Sequence, residues 1–316
     1  GVIGDNGYHP HANLALKEAD LVIYAGSKVG SVVTIGGTFP EVNSERKIVH
    51  IDIDPEVLAN TYETTLSIAT DVHLLFEQLI EIAPTDPVVD TAWVDHLNAY
   101  RKDFWESVKP SLDDPSVPLR PEYVVQSLNE RLTGPVNIIA DAGTATPYLT
   151  RFLKLGDPGS QLIIPRGYGG LGYAVPAVIG AWYAAPDKRP IGVFGDGSLG
   201  MTAGELESLV RLRVPAILLH FNNGCFGWIK ALQRVHGHNR TFSVDFNQID
   251  AKKVAEAFGM KSWRATNPDE FDTALDQAFK EKGPCLIDIV VESIADRLPP
   301  VYSWQKRQGA DPLAIG

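Results

Sequence analysis

IGVFGDGSLG (residues 191–200) and AILLHFNNGCFG (residues 216–227) decide how this chain folds. Each opens as an apolar run of strand length and ends in acidic or carboxamide residues followed by glycine. A run that is apolar on both faces belongs to a strand covered by helices on both sides of a parallel sheet. Residues 198–221 lie between the GDG and NN turns, which leaves room for one helix and one strand. That spacing predicts the two turns side by side on adjacent strands.

Working outward, the alternation recurs. Helices are expected at 12–19, 72–82, 121–132, 203–212, 251–259 and 268–280, with strands at 21–28, 47–54, 136–141, 261–266 and 285–291. Asp71 is placed to cap the 72–82 helix. Strands alternating with helices predict an α/β chain with two doubly wound parallel-sheet domains. Between Ala83 and about Pro121 the pattern gives way to prolines and acidic residues around one helical stretch, TAWVDHLNAYRKDFWESV, and the domain boundary is placed there. The tail from Glu292 reads as irregular.

Composition excludes several classes. Of the 316 residues, 28 are Lys or Arg and 39 Asp or Glu, a net charge of −11, which argues against nucleic acid or an anionic membrane as partner. A 44% hydrophobic and 21% charged content is that of a globular protein. Two cysteines, Cys225 and Cys285, make neither a disulfide framework nor a cysteine zinc site. The longest apolar stretch, Leu171 to Ala185, is too short to span a bilayer and carries Pro176 and Gly180. No secretory signal opens the chain, so a reducing cytoplasm is expected. The opening, GVIGDNGYHP, lacks Met, as a fragment or processed product would.

In an open parallel sheet, ligands bind at the carboxyl ends of the strands. There Asp196 and Asn223 offer hard oxygen donors suited to Mg²⁺ shared with a diphosphate. Gly197 and Gly200 allow close backbone approach, and the helix expected to start near Ala203 would present a positive end. Either turn alone marks an ordinary strand end; the pair at this spacing does not.

The pair resembles the thiamine diphosphate signature, GDG followed some two dozen residues later by NN. PRGYGGLGYAVPAVIGA (165–181), DAGTATPYL (141–149), ANLALKEADLVIYAGSKVG and KIVHIDIDP extend the likeness over nearly the whole chain. The chain is thereby similar to the acetolactate synthase, benzoylformate decarboxylase and pyruvate oxidase family. The resemblance implies a partial middle domain over 1–84, a linker over 85–119, a diphosphate- and Mg-binding domain over 120–295 and a tail over 296–316. It implies Mg²⁺ held by Asp196, Asn223 and the carbonyl of Cys225. Diphosphate contacts fall on Gly195, Asp196, Gly197, Ser198, Phe226 and Gly227, and on Thr144 and Ala145, where acetolactate synthases carry Gln-His. Gly169 would meet the aminopyrimidine edge, and Leu171 would be the apolar wedge that bends the cofactor.

The activating glutamate of this family sits on an N-terminal pyrimidine-binding domain that is absent here. It is therefore expected from another polypeptide or a removed segment, and the chain alone is expected to be inactive. A homodimer or homotetramer is implied, with a 2-oxo acid as substrate. Ile229 stands where pyruvate decarboxylases place a proton-donating glutamate. Its apolar character favours carboligation over aldehyde release, and Trp228 would narrow the donor pocket. Decarboxylase, C–C lyase, acyl transferase, oxidase and non-catalytic subunit remain alternatives. A nicotinamide- or flavin-binding oxidoreductase is disfavoured, because the glycine turn after the first strand, GSKVG (26–30), is not a G-x-G-x-x-G fingerprint. Gly26 to Gly30 with Asp52 and Asp54 resemble a nucleotide site, yet FAD is not favoured for the same reason. His236 and His238 read as a polar loop near the site, and His50 and His220 as buried strand residues.

Overall fold

A computed structural model describes residues 1–86 and 89–315. Within the expected linker, Pro87 and Val88 lie outside the described residues, as does Gly316 at the tail. The chain divides into two compact units, one formed by Gly1–Val108 with the segment from Val301 onward, the other by Lys109–Pro300.

The first unit runs α1 (Pro10–Glu18), β1 (Leu21–Ala25), β2 (Lys47–Asp52), β3 (Leu66–Ala69), α2 (Val72–Ile82) and α3 (Thr91–Leu112) as far as Val108. Its sheet is parallel, in the order β1-β2-β3. One face is packed by Leu16, Val22, Tyr24, Val29, Phe39 and Tyr62. Asp71 caps α2 by accepting from the N–H groups of His73 and Leu74, as its position predicts. Asn13, fully buried, exchanges two hydrogen bonds with the backbone of Gly4 and so fixes the first turn to α1. The helical stretch expected inside a linker extends to 22 residues in α3, with Pro110 in its last turn. The short β3 escapes a periodicity reading because only four half-exposed residues carry it.

The second unit holds α4 (Pro121–Arg131), β4 (Val136–Ala140), α5 (Thr146–Phe152), β5 (Gln161–Ile163), α6 (Ala174–Ala184), β6 (Arg189–Gly195), α7 (Asp196–Thr202), α8 (Glu205–Leu212), β7 (Ile217–Asn222), α9 (Gly227–His236), α10 (Ala251–Ala257), β8 (Lys261–Ala265), α11 (Pro268–Lys280) and β9 (Cys285–Val290). Its six strands are all parallel, in the order β5-β4-β6-β7-β9-β8. β4 and β7 are buried along their whole length, the double coverage that their apolar runs predict. Ile139, Val178, Phe194, Leu206, Leu209 and Leu218 anchor the core on one side of this sheet. From β4 the chain steps to β5 on one side and then returns to β6 on the other. The order of winding therefore reverses between β4 and β6, and a crevice opens there at the strands' carboxyl ends.

One expectation is corrected. The helix placed at 203–212 is α8, starting at Glu205, but a further helix that the reading did not place, α7, precedes it from Asp196 to Thr202. The helical end that faces the crevice is thus at Asp196, not near Ala203. The tail read as irregular also contains a helix, α12 (Tyr302–Arg307), whose six residues are too few to show a period. The Tyr8 hydroxyl ties this segment into the first unit, lying 2.6 Å from Gln305 Oε1 and 2.8 Å from the Pro312 carbonyl oxygen.

Within the second unit, Arg297 clamps Glu122 with two parallel bonds of 2.9 and 2.7 Å and reaches Glu292 at 3.0 Å. Glu122 is buried, so removing its partner strands a carboxylate in a place water hardly reaches. Arg297→Ala is expected to destabilise the protein by about 2 kcal/mol, below the full cost of breaking a buried pair because the guanidinium itself is partly exposed. A lower urea midpoint with an unchanged slope would register this loss; an unchanged midpoint would show the clamp to be dispensable.

Candidate functional site

Three strand ends meet at the winding reversal. β4 delivers Asp141 to Ala145, β6 delivers Gly195 to Ser198, and β7 delivers Asn223 to Gly227. Gly195 pairs in register with Phe221, which sets the GDG and NN turns next to each other. Asp196 Oδ2 then accepts from the N–H of Asn223 at 2.9 Å and of Gly224 at 3.1 Å. The carboxylate is buried at 3% exposure, and burial pushes its carboxyl above the usual range, opposed by His220 and by those two N–H groups. Asn223 Oδ1 faces the Cys225 N–H at 3.3 Å. The 224–226 loop is tied down by Phe226 N–H to the Val244 carbonyl and by Phe246 N–H to the Gly224 carbonyl, each 2.8 Å.

Two glycines are required by close approach. A Cβ on Gly197 would stand 2.3 Å from a ring carbon of Phe226. One on Gly227 would stand 2.8 Å from both Thr144 Oγ1 and Asn223 Nδ2. Thr144, Asp196, Gly197, Asn223, Phe226 and Gly227 therefore form one cradle of bare backbone, hydroxyl and carboxamide. Ala145 and Ser198 are buried at the starts of α5 and α7 respectively.

The second wall is the loop that carries Gly169 and Leu171. Leu171 is half buried, and its Cδ2 lies 3.9 Å from the place a Cβ on Gly143 would take. Gly169 is exposed and has φ +65°, a conformation that a side chain would strain. Asp141, quoted within DAGTATPYL but given no role from sequence, holds this loop. Its Oδ1 accepts from Ala174 N–H at 2.7 Å and its Oδ2 from Gly172 N–H at 3.2 Å, all buried. The partners lie more than thirty residues away along the chain, so no spacing signal reveals them. Asp141→Asn keeps the shape but turns an NH₂ group against one of two backbone donors. The amides of Gly172 and Ala174 are then expected to exchange with solvent at least about tenfold faster, since the lost bond is worth about 1.5 kcal/mol or more. Unchanged exchange would remove Asp141 from the loop's support.

Trp228 and Ile229 occupy the first turn of α9; Ile229 is 44% exposed. His236 closes α9 and His238 sits in the following turn at φ 51°; among the described residues no cluster of three or more His, Cys, Asp or Glu could hold a metal. His50 is buried in β2, with Nε2 2.8 Å from the Ser27 carbonyl. Asp52 and Asp54 are occupied in their own turn: Asp54 N–H donates to Asp52, and Asp54 caps the residues that follow. No helix among the described residues is long and apolar enough to cross a membrane.

A thiamine pyrophosphate enzyme central-domain family model matches residues 1–79, and the model of that family's C-terminal TPP-binding domain matches residues 141–289. The chain belongs to the thiamine pyrophosphate enzyme family. It is 27% identical to a probable acetolactate synthase large subunit of Methanococcus aeolicus, covering 95% of this chain and 52% of that protein. It is 28% identical to an acetolactate synthase of Bacillus subtilis, covering 92% and 51%. A putative thiamine pyrophosphate-containing protein of the same organism is 24% identical over 92% and 50%. The chain thus spans about half the length of the curated relatives it matches.

The residues present fit a diphosphate–metal pair. The donors gathered are hard oxygens, the Asp196 carboxylate standing against the Asn223 turn. The bare backbone at Gly197 and Gly227 lets Phe226, Thr144 and Asn223 close against it, which gathers these residues around one point.

Proposed function

We propose that this chain forms the diphosphate- and Mg²⁺-binding part of an enzyme that decarboxylates a 2-oxo acid and joins the resulting fragment to a second carbonyl, as acetolactate synthases do. The supporting observation is the placement of Asp196 against the Asn223 turn at the sheet's winding reversal. Mg²⁺ would be held by Asp196, Asn223 and the Cys225 carbonyl; diphosphate by Gly195, Gly197, Ser198, Phe226, Gly227, Thr144 and Ala145. Gly169 and Leu171 would meet the aminopyrimidine. When bound, thiamine diphosphate supplies the electron sink that lets a carboxylate leave as CO₂.

The chain's own residues set the rest. Asp141 fixes the loop of Leu171, whose apolar side chain keeps water from that wall. Trp228 limits the donor to a small 2-oxo acid such as pyruvate. Ile229 withholds a proton, so the reacting fragment survives long enough to meet a second carbonyl. The activating glutamate is supplied by a pyrimidine-binding domain on another polypeptide or an upstream segment, within a homodimer or homotetramer in the cytoplasm.

Pyruvate incubated with the chain, Mg²⁺, thiamine diphosphate and the pyrimidine-binding polypeptide is expected to give acetolactate, and the 316 residues alone to give no turnover. Ile229→Glu adds a carboxyl group that can serve as proton donor at this position. Its product ratio is expected to move at least about tenfold toward acetaldehyde, within the range a placed acid contributes. Acetaldehyde as the sole product of the parent would overturn the carboligase reading.

A further inference from the structure

In β7 the side chains alternate, so His220 and Asn222 leave the strand on the same face of the sheet. His220 is fully buried, in register with Asp288 of β9, which is in turn in register with Arg264 of β8. A single row of ionisable groups therefore crosses three strands beneath the site. Asp288, also fully buried, accepts from His220 Nδ1 at 3.0 Å and from Asn222 Nδ2 at 2.9 Å, and it pairs with Arg264. The other ring nitrogen, His220 Nε2, has no hydrogen-bond partner among the described residues and lies 3.6 Å from Asp196 Oδ1. Since Asp196 Oδ2 is committed to two backbone N–H groups, Oδ1 is the oxygen left to the metal, and His220 stands behind it.

We propose that His220, held by Asp288, is a positioning residue that fixes the Asp196 carboxylate for the metal. The proposal rests on the metal and diphosphate assignment made above. Packing alone would be met by an aliphatic residue such as its neighbours Leu218 and Leu219. A buried imidazole with one nitrogen unpaired costs stability, and the ring's direction gives that cost a use. Asp288 sets the ring's rotation, Nε2 stands against Oδ1, and the carboxylate cannot turn away from the crevice. Ligand carboxylates are commonly held by such outer partners, whose loss typically lowers metal affinity by about 10–100-fold.

Two measurements on the 316-residue protein test this. The first uses metal-free protein and the ¹H–¹⁵N spectrum of its histidine rings. Asp196→Asn is expected to shift the His220 Nε2 signal more than that of any other histidine, and Asp288→Asn to move its Nδ1 signal. A His220 signal indifferent to Asp196→Asn overturns the proposal. The second follows Mn²⁺ binding in the presence of inorganic diphosphate by electron paramagnetic resonance. His220→Leu is expected to weaken Mn²⁺ binding at least about tenfold and to broaden the bound-metal signal, with His220→Gln recovering part of the affinity. Parent-like Mn²⁺ affinity in His220→Leu overturns the proposal. Should the parent bind no Mn²⁺ with diphosphate, the metal assignment fails by itself, while the ring shift still decides whether His220 governs Asp196. If His220→Leu does not fold, Asp288→Asn and His220→Gln carry the same comparison.

Discussion

Asp196→Ala is expected to abolish Mg²⁺-dependent binding of thiamine diphosphate, a loss of about 100-fold or more, because even outer partners of a metal ligand are worth 10–100-fold. A diphosphate beside the carboxylate is tolerable only with a divalent cation between them, and alanine removes the protein's half of that bridge. The fold should survive. Asp196 organises two backbone N–H groups, but the strands on either side are held by their own register. Calorimetry on the intact protein measures the effect directly. Parent-like affinity in the variant would sink the metal assignment for both Asp196 and Asn223.

The second large effect is expected at Leu171. In the assembled enzyme, Leu171→Ala should leave the diphosphate anchor intact, since that anchor lies in the Gly197–Gly227 cradle. On the proposed reading, what it removes is the apolar side chain that would meet the aminopyrimidine. Misplacement of reacting groups by about 1 Å costs on the order of 100-fold, so exchange of the thiazolium C2 proton should slow by about 100-fold while cofactor affinity falls only severalfold. Equal exchange rates would reduce Leu171 to ordinary packing.

The two anchoring turns were legible from sequence because their spacing admits one helix and one strand, and the adjacent β6 and β7 carry them as that spacing demands. The cap at Asp71 was legible for a similarly local reason. What escaped was short or distant. β5 has three residues, and α7 and α9 begin inside glycine-bearing turns that punctuate rather than signal a helix. Asp141 bonds to Gly172 and Ala174 far along the chain. His220 was recognisable as a buried strand residue, but its link to Asp288 depends on which strand lies next to β7. That order is a property of the sheet and not of any window of sequence.

The strand order also bears on how the site comes into being. β4 pairs with β6, β6 with β7 and β7 with β9, so every contact at the crevice closes a loop of many residues. Parallel pairings of this kind must lose loop entropy before they gain contact energy, and they form slowly. A chain emerging from the ribosome at Asp141 has one wall of the cradle but cannot complete it until β7 has docked, some eighty residues later. The cradle is thus a late product of folding, complete only once β7 has docked between β6 and β9.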